Sequence, residues 1–304
     1  MDPEARQRGD DGKIAGVLRL ASERLAAGGS ETPRLDAEVL LRHVLGLDRT
    51  GLFLRLPEPL GPEERKTFTG LVERRLRGEP VAYLTGEREF MGLPFRVRAG
   101  ALVPRPETEG LVEWALAWLK ARPPATVLDV GTGSGAIVLA LAALAPAGWT
   151  GTAIGSDTSV AALAIAVENR RRLGLDGRVW LVHGDIAGWC RGPVDLLLAN
   201  LPYLRPDQVE GNPGLRSEPA LALVGGPDGL DLIRGLVVDA PRLLAPGGAI
   251  GLEIDPSQAM TVVDLLSVAM PGAATEVRPD LAGFARHVVV QTAGGVPWLG
   301  SRWE

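Results

Sequence analysis

A single cysteine, Cys190, stands in 304 residues, so the chain can form no intramolecular disulfide and no thiolate metal centre. Histidine is nearly as scarce. His43, His183 and His287 lie far apart, none at ligand spacing from another, and read as structural or surface residues; no metal is expected. Positive charge is not in surplus either. The net charge is −5, and residues 1–80 carry as many acidic as basic side chains, whereas a broad nucleic-acid surface needs clustered positive charge. No direct nucleic-acid binding is therefore expected. Arg170-Arg-Arg172 is the one tight basic cluster of the second half and reads as a solvated helix face. No segment reaches the roughly 18 uninterrupted apolar residues of a membrane span. The first 30 residues are charged throughout and lack an apolar signal core. These absences predict a cytoplasmic protein with no membrane partner.

What is present is concentrated in Ala125-Thr-Val-Leu-Asp-Val-Gly-Thr-Gly-Ser-Gly135. A buried-strand run ends near Asp129, and a turn with Gly131, Gly133 and Gly135 alternating with Thr132 and Ser134 follows. The helix-like segment Ala136–Leu144 comes next. Glycine permits the sharp bend and lets a ligand lie on the backbone, and the helix start offers unpaired N–H groups to it. This is a cradle for a nucleotide-type cofactor. Gly131, Gly133 and Ala136 also satisfy the loose dinucleotide pattern, but two features favour S-adenosylmethionine. The alternating glycines follow closely on Asp129, which suits an ammonium-bearing amino acid better than a pyrophosphate. The second feature is Asn200-Leu-Pro-Tyr203, which closes the apolar run Val194–Ala199. Asn200 supplies a carboxamide, Leu201 and Pro202 supply carbonyls, and Tyr203 a flat face. Together they suit a planar NH2 group held between acceptors.

The rest of the chain falls into two kinds of pattern. From 12 to 78 apolar residues recur at helical spacing, as in Ile14, Val17, Leu18 and Leu25 and again in Leu35, Val39, Leu40, Val44 and Leu45. Thr32-Pro33 reads as a start signal and Gly46 as a stop, and a third helix is predicted from Pro62 to Leu76. Glu89–Val97 reads as two short strands around Gly92, and Pro104–Glu109 leads into a helix over Gly110–Lys120. Strands are then predicted at 125–130, 149–156, 178–183, 194–199 and 249–254, and helices at 134–145, 159–173 and 228–244. Such alternation predicts a mostly parallel sheet covered on both faces, with ligands at the carboxyl ends of its strands. Asp129, Asp157, Asp185 and Asn200 all fall at such ends. Asp157 lies 24 residues beyond Gly133, near where an acidic residue meets a ribose in folds of this type, and Asp185 is placed near the adenine. A buried Asp129 carboxylate needs a partner, which is the ligand ammonium, directly or through water, or the loop N–H groups.

Several further segments are distinctive: Glu79-Pro-Val-Ala-Tyr-Leu-Thr-Gly86, Arg88-Glu-Phe90, Leu93-Pro-Phe95, Pro104-Arg-Pro-Glu-Thr-Glu109, Arg216-Ser-Glu-Pro219, Leu223 and Leu252-Glu-Ile254. With the glycine loop and Asn200–Tyr203, they make the chain resemble the protein-(glutamine-N5) methyltransferases that modify peptide chain release factors, over nearly all of residues 30–292. The resemblance implies an α/β fold, the class I S-adenosylmethionine-dependent methyltransferase fold. That fold is Rossmann-like, with a mostly parallel seven-stranded sheet, a small N-terminal all-helical domain and a connecting β-hairpin. It divides the chain into a substrate-docking domain (1–78), a linker with the hairpin (79–108), a catalytic domain (109–292) and a tail (293–304). It implies methyl transfer from S-adenosylmethionine, leaving S-adenosylhomocysteine, to the side-chain amide nitrogen of the glutamine in a Gly-Gly-Gln loop of class 1 release factors. By resemblance, Gly131, Thr132, Gly133, Ser134, Gly135, Asp157, Asp185, Ile186 and Asn200 bind the cofactor. Asn200, Leu201, Pro202 and Tyr203 form the catalytic substrate clamp, and Phe90, Arg105 and Glu107 help close the site. The family pattern is usually Asn-Pro-Pro-Tyr; here Leu201 takes the second position, and Pro202 keeps it extended. Asn-Leu-Pro-Tyr also looks like the motif of ribosomal RNA adenine-N6 dimethyltransferases, which is the alternative reading.

Overall fold

The computed structural model describes residues 12–122 and 124–294. The start of the expected docking domain, before residue 12, and the expected tail from 295 onward lie outside the described residues. The chain divides into two compact units. One reaches to Gly86 and takes in Pro213–Ser217; the other holds the rest.

The first unit is helical: α1 (Ile14–Ala27), α2 (Pro33–Leu45), α3 (Arg49–Leu54), α4 (Pro62–Leu76) and α5 (Val81–Thr85). Pro33 and Pro62 sit in the first turns of their helices, where the missing N–H costs nothing. Gly46 ends α2 in the left-handed region at φ 63°. The apolar stripes meet in one core holding Ile14, Leu25, Leu40, Leu41, Leu52 and Phe68. Asp36 is buried there but not unpaired. It accepts from Ser30 Oγ, Thr32 Oγ1 and, at 2.8 Å, Arg75 Nε, as a buried charge requires. Leu84 of α5 joins this core, so the unit extends to Gly86, whereas the sequence division began a linker at 79.

The second unit begins with the hairpin β1 (Glu87–Phe90) and β2 (Leu93–Arg96), paired antiparallel. Its two turn residues, Met91 and Gly92, have φ of 54° and 72°, the left-handed pair that a two-residue hairpin turn demands. Then follow α6 (Glu109–Leu119), β3 (Val127–Val130), α7 (Ala136–Leu144), β4 (Ala153–Asp157), α8 (Val160–Arg172), β5 (Val179–His183) and β6 (Val194–Ala199). The remaining elements are α9 (Pro206–Glu210), α10 (Asp231–Leu243), β7 (Leu244–Glu253), α11 (Ala259–Ala269), β8 (Ala274–Pro279) and β9 (Ala285–Gln291). The seven strands of the main sheet run in the order β5-β4-β3-β6-β7-β9-β8. The first five are parallel, and β9 pairs antiparallel with both β7 and β8.

Alternate residues of the strands feed two apolar layers. Val127, Leu196 and Leu198 pack with Leu111, Trp114 and Ile137 on one face; Leu128, Val130 and Leu197 pack with Leu236 and Val262 on the other. Burial on both faces is why β3 and β6 read as near-continuous apolar runs, each interrupted by a single aspartate, Asp129 and Asp195. The strand order also fixes where a ligand goes. From β3 the chain winds outward to β4 and β5, then returns to β6 on the other side of β3. A crevice must open where the order reverses, beyond the carboxyl ends of β3 and β6.

Candidate active site

A cavity of about 370 Å3 lies at that reversal, within the usual size range for small-ligand sites. The loop after β3 and the loop after β6 form opposing walls. Gly131, Thr132, Gly133 and Ser134 line the first; Asn200, Leu201 and Pro202 line the second. Asp157 at the end of β4, Asp185 and Ile186 after β5, and Arg105 complete the predicted residues that reach the cavity.

The glycine loop is shaped by hydrogen bonds and by space. Thr132 N–H donates to the Ser156 carbonyl at 2.8 Å. At Gly131 (φ 73°) a Cβ would stand 2.9 Å from Leu201 Cδ2, so a side chain there would push the two walls apart. Asp157 ties the loop to the neighbouring strand. Its Oδ2 accepts from Gly133 N–H and its Oδ1 from Ser159 N–H, each at 2.8 Å. Each oxygen keeps lone-pair capacity for hydroxyl donors, which fits a vicinal diol.

Asp129 supports this loop from below. It is fully buried, and its Oδ2 accepts from Thr132 Oγ1 at 2.6 Å and from Val138 N–H at 3.3 Å. Neither donor is one of the glycine-loop N–H groups expected for it: one is the Thr132 hydroxyl and the other is the N–H of Val138 inside α7. Burial pushes its pKa up to about 7, against the pull of the Thr132 and Val138 hydrogen bonds. The folded state thus retains a proton that the unfolded chain has released. That contribution is complete below the ordinary carboxylate range and is lost as pH rises toward about 7. Asp129→Asn cannot ionise. Relative to wild type it is expected to gain on the order of 2–4 kcal/mol between pH 4 and pH 8, read from urea unfolding at both pH values. A pH-independent gap between the two proteins would refute this.

Ile186 is the conformational outlier of the site. A β-branched residue at φ 45° costs on the order of 1–3 kcal/mol and is held only where its surroundings over-determine it. Gly235 of α10 makes the room, since a Cβ there would meet Ile186 Cδ1 at 2.8 Å.

Four predicted site residues are not on the cavity wall. Gly135 is the left-handed cap of α7 (φ 84°), where a Cβ would strike Leu139 Cδ1 at 2.6 Å; it shapes the loop without lining it. Phe90 is a core residue, 1% exposed and edge-on to Phe95 at 6.0 Å, because an aromatic at the end of β1 buries more area in the core than at an open rim. Glu107 is exposed. Tyr203 does not offer its face to the cavity. Its hydroxyl donates to Glu253 Oε1 at 3.1 Å, and burial with the neighbouring Glu253 charge pushes its pKa up.

Sequence reading missed the supports beneath the Asn200 loop. Asn200 Nδ2 donates to Thr108 Oγ1 at 3.0 Å, and both residues line the cavity. The two lie 92 positions apart, a contact no local pattern discloses. Glu253, 1% exposed, sits under the loop with its pKa raised to about 7, chiefly by burial. Arg105 is anchored by an ion pair with the buried Glu218, whose Oε2 also accepts from Val103 N–H at 3.0 Å. Asn169, fully buried on α8, bonds Arg96 of the hairpin and the Ser134 carbonyl, so the hairpin braces the glycine loop.

The donor set fits S-adenosylmethionine. A carboxylate faces the hydroxyl side, a backbone cradle that a Cβ would fill lies beside it, and apolar Ile137 and Leu232 complete the wall. Comparison with known proteins agrees. A family model described as the PrmC N-terminal domain matches residues 16–86, and one described as a methyltransferase domain matches residues 122–251. The chain is 46% identical over 272 residues to the release factor glutamine methyltransferase of Moorella thermoacetica, covering 89% of this chain and 95% of that protein. It is 43% identical over 284 residues to the release factor glutamine methyltransferase of Deinococcus radiodurans, covering 93% and 100%. The fold is shared with a solved structure of the hMettl16 catalytic domain in complex with the MAT2A 3'UTR hairpin 6. The match has a TM-score of 0.51 and 14% identity, over 76% of this chain and 82% of that one.

Proposed function

This chain belongs to the release factor glutamine methyltransferases, and from that premise we propose how its residues act on the glutamine of a Gly-Gly-Gln loop in class 1 release factors. It is an S-adenosylmethionine-dependent enzyme that methylates a glutamine side chain. The ribosomal RNA alternative is not favoured, since the relatives that match along most of the chain are release factor enzymes. No helix among the described residues is long and apolar enough to cross a membrane. The cytoplasm, where release factors work, is the compartment we assign. The helical unit is assigned to docking the release factor.

Bound S-adenosylmethionine supplies an electrophilic methyl group on a sulfonium. The loop Gly131–Ser134, Asp157, Asp185 and Ile186 would hold it. The chain's own task is to make a poor nucleophile usable. The lone pair of a primary amide is delocalised into its carbonyl, so the nitrogen must be oriented and its developing positive charge stabilised. The observation that carries this reading is the bond from Asn200 Nδ2 to Thr108 at the cavity wall. With Nδ2 committed there, Oδ1 is the end of the carboxamide that remains to accept one substrate N–H. The Leu201 carbonyl accepts the other. No general base is needed, because the proton can pass to water after transfer.

The test is transfer of labelled methyl to a purified release factor, with ribosomal RNA as competitor and mass mapping of the product. Label on any residue other than the loop glutamine, or on RNA, would overturn the reading. Asp157→Ala tests the cofactor half. It removes two loop-ordering bonds and the diol acceptor, so the Kd for S-adenosylhomocysteine by calorimetry is expected to rise about 30- to 300-fold. A Kd within about threefold of wild type would move the diol elsewhere.

A further inference from the structure

The clamp works only if the Asn200 carboxamide shows its oxygen to the substrate. The two ends of a carboxamide are nearly alike in shape, and a hydroxyl neighbour such as Thr108 can serve either end, as donor or as acceptor. Something beyond Thr108 must choose.

Three observations identify the chooser. Thr108 Oγ1 accepts from Asn200 Nδ2, so its own proton must go elsewhere. The Thr108 hydroxyl faces the Glu253 carboxyl closely enough to draw its pKa back down against burial. Glu253 Oε1 is taken by the Tyr203 hydroxyl, while Oε2, buried, has no hydrogen-bond partner among the described residues. A small approach of the Thr108 side chain to Oε2 would join the leftover proton to the leftover lone pair. An ionised carboxylate has only acceptors, so it imposes one direction on the chain of bonds.

We propose that Glu253 is a positioning residue that takes the Thr108 proton, so that Thr108 can only accept from Asn200 Nδ2 and Asn200 Oδ1 is turned to the glutamine amide. The inference rests on the clamp reading above and names what sets the clamp's polarity. It also gives the reaction a proton switch. Protonated Glu253 can donate to Thr108, which then donates to Asn200 Oδ1, and the NH2 end swings into the cavity. The Asn200 NH2 then faces a substrate N–H, donor against donor, only the Leu201 carbonyl still accepts, and the amide is no longer held in line. The groups around Glu253 are Tyr203 and Thr108 as hydrogen-bond partners, Arg286 favouring the ionised form and Glu107 opposing it. His287, its cross-strand neighbour, has its pKa pushed down to about 4 by burial and is neutral across the range of interest. With the Glu253 pKa raised to about 7, kcat should climb from pH 6 to pH 8.

The experiment combines kinetics with the Asn200 side-chain NH2 signals in 15N-labelled full-length protein carrying S-adenosylhomocysteine. Thr108→Val is expected to lower kcat about 10- to 100-fold, with the KM for release factor changed by less than about twofold, and Thr108→Ser to restore most of it. Glu253→Gln is expected to abolish the kcat rise near pH 7 and the accompanying shift of the Asn200 NH2 pair. A merely structural Glu253 would alter stability and leave the shape of the pH profile intact. Wild-type activity in Thr108→Val, a serine variant no better than valine, or an NH2 pair unmoved by pH in wild type would each overturn the proposal. Should the wild-type enzyme methylate no release factor, the clamp reading falls, and the NH2 signals still decide whether the bond chain exists.

Discussion

Asn200→Ala is expected to lower kcat for release factor methylation by about 100- to 1,000-fold. The protein should fold nearly as before. The side chain reaches the cavity from just beyond the end of β6, and among the described residues it hydrogen-bonds Thr108. Removing it should cost stability about 1 kcal/mol. The catalytic loss is larger because an amide gains reactivity only while both N–H bonds are held and the lone pair faces the methyl group. One acceptor lets the planar group pivot about the remaining bond. The effect should fall on kcat more than on KM, since the acceptor matters most as positive charge grows on nitrogen. Steady-state kinetics with labelled cofactor, together with urea midpoints, separate the two. Turnover within about threefold of wild type would take Asn200 out of the clamp.

The residues legible in the sequence were those whose signal is local. The glycine alternation at 131–135 marks its own bend, and the apolar runs Val127–Val130 and Val194–Ala199 mark strands buried on both faces. Four strand-end residues, Asp129, Asp157, Asp185 and Asn200, could be set on one rim from spacing alone, and the last three do line the cavity. The antiparallel end of the sheet was not read from periodicity. β8 is an edge strand with mostly exposed or half-exposed side chains, so no apolar alternation betrays it. Tyr203 shows a different limit. Its place in the motif suggested a flat wall, but a phenol beside a buried carboxylate is better satisfied by bonding it. Thr108, Glu218 and Glu253 sit in segments that the sequence marked as distinctive, yet their roles depend on partners 92, 113 or 50 positions away. Such roles exist only once the sheet has assembled.

Gly229→Ala should damage both stability and turnover, for a reason also invisible in sequence. The Asn200–Tyr203 loop is held by the segment just before α10. The Leu204 N–H donates to the Leu223 carbonyl and the Gly225 N–H to the Leu204 carbonyl. Gln258 Nε2 donates to the Tyr203 carbonyl at 2.9 Å and to the Asp228 carbonyl at 3.2 Å. Gly229 lies inside this knot at φ 78°, where a Cβ would stand 2.1 Å from the Tyr203 oxygen and 2.6 Å from Gln258 Nε2. An alanine therefore adds left-handed strain and a backbone collision. The relief is to push the Tyr203 carbonyl away and break its bond to Gln258, which drags Pro202 and Leu201 with it. The expected loss is about 3 kcal/mol of stability and about 100-fold in kcat, the usual cost of displacing a positioned acceptor by about 1 Å. Gly283→Ala supplies the control. Its φ is 85°, and nothing lies within 4 Å of the added Cβ, so it carries the same conformational penalty without the collision. That variant is expected to lose about 1 kcal/mol and no activity. Equal kinetic defects in the two variants would mean that close approach at Gly229 does not hold the clamp.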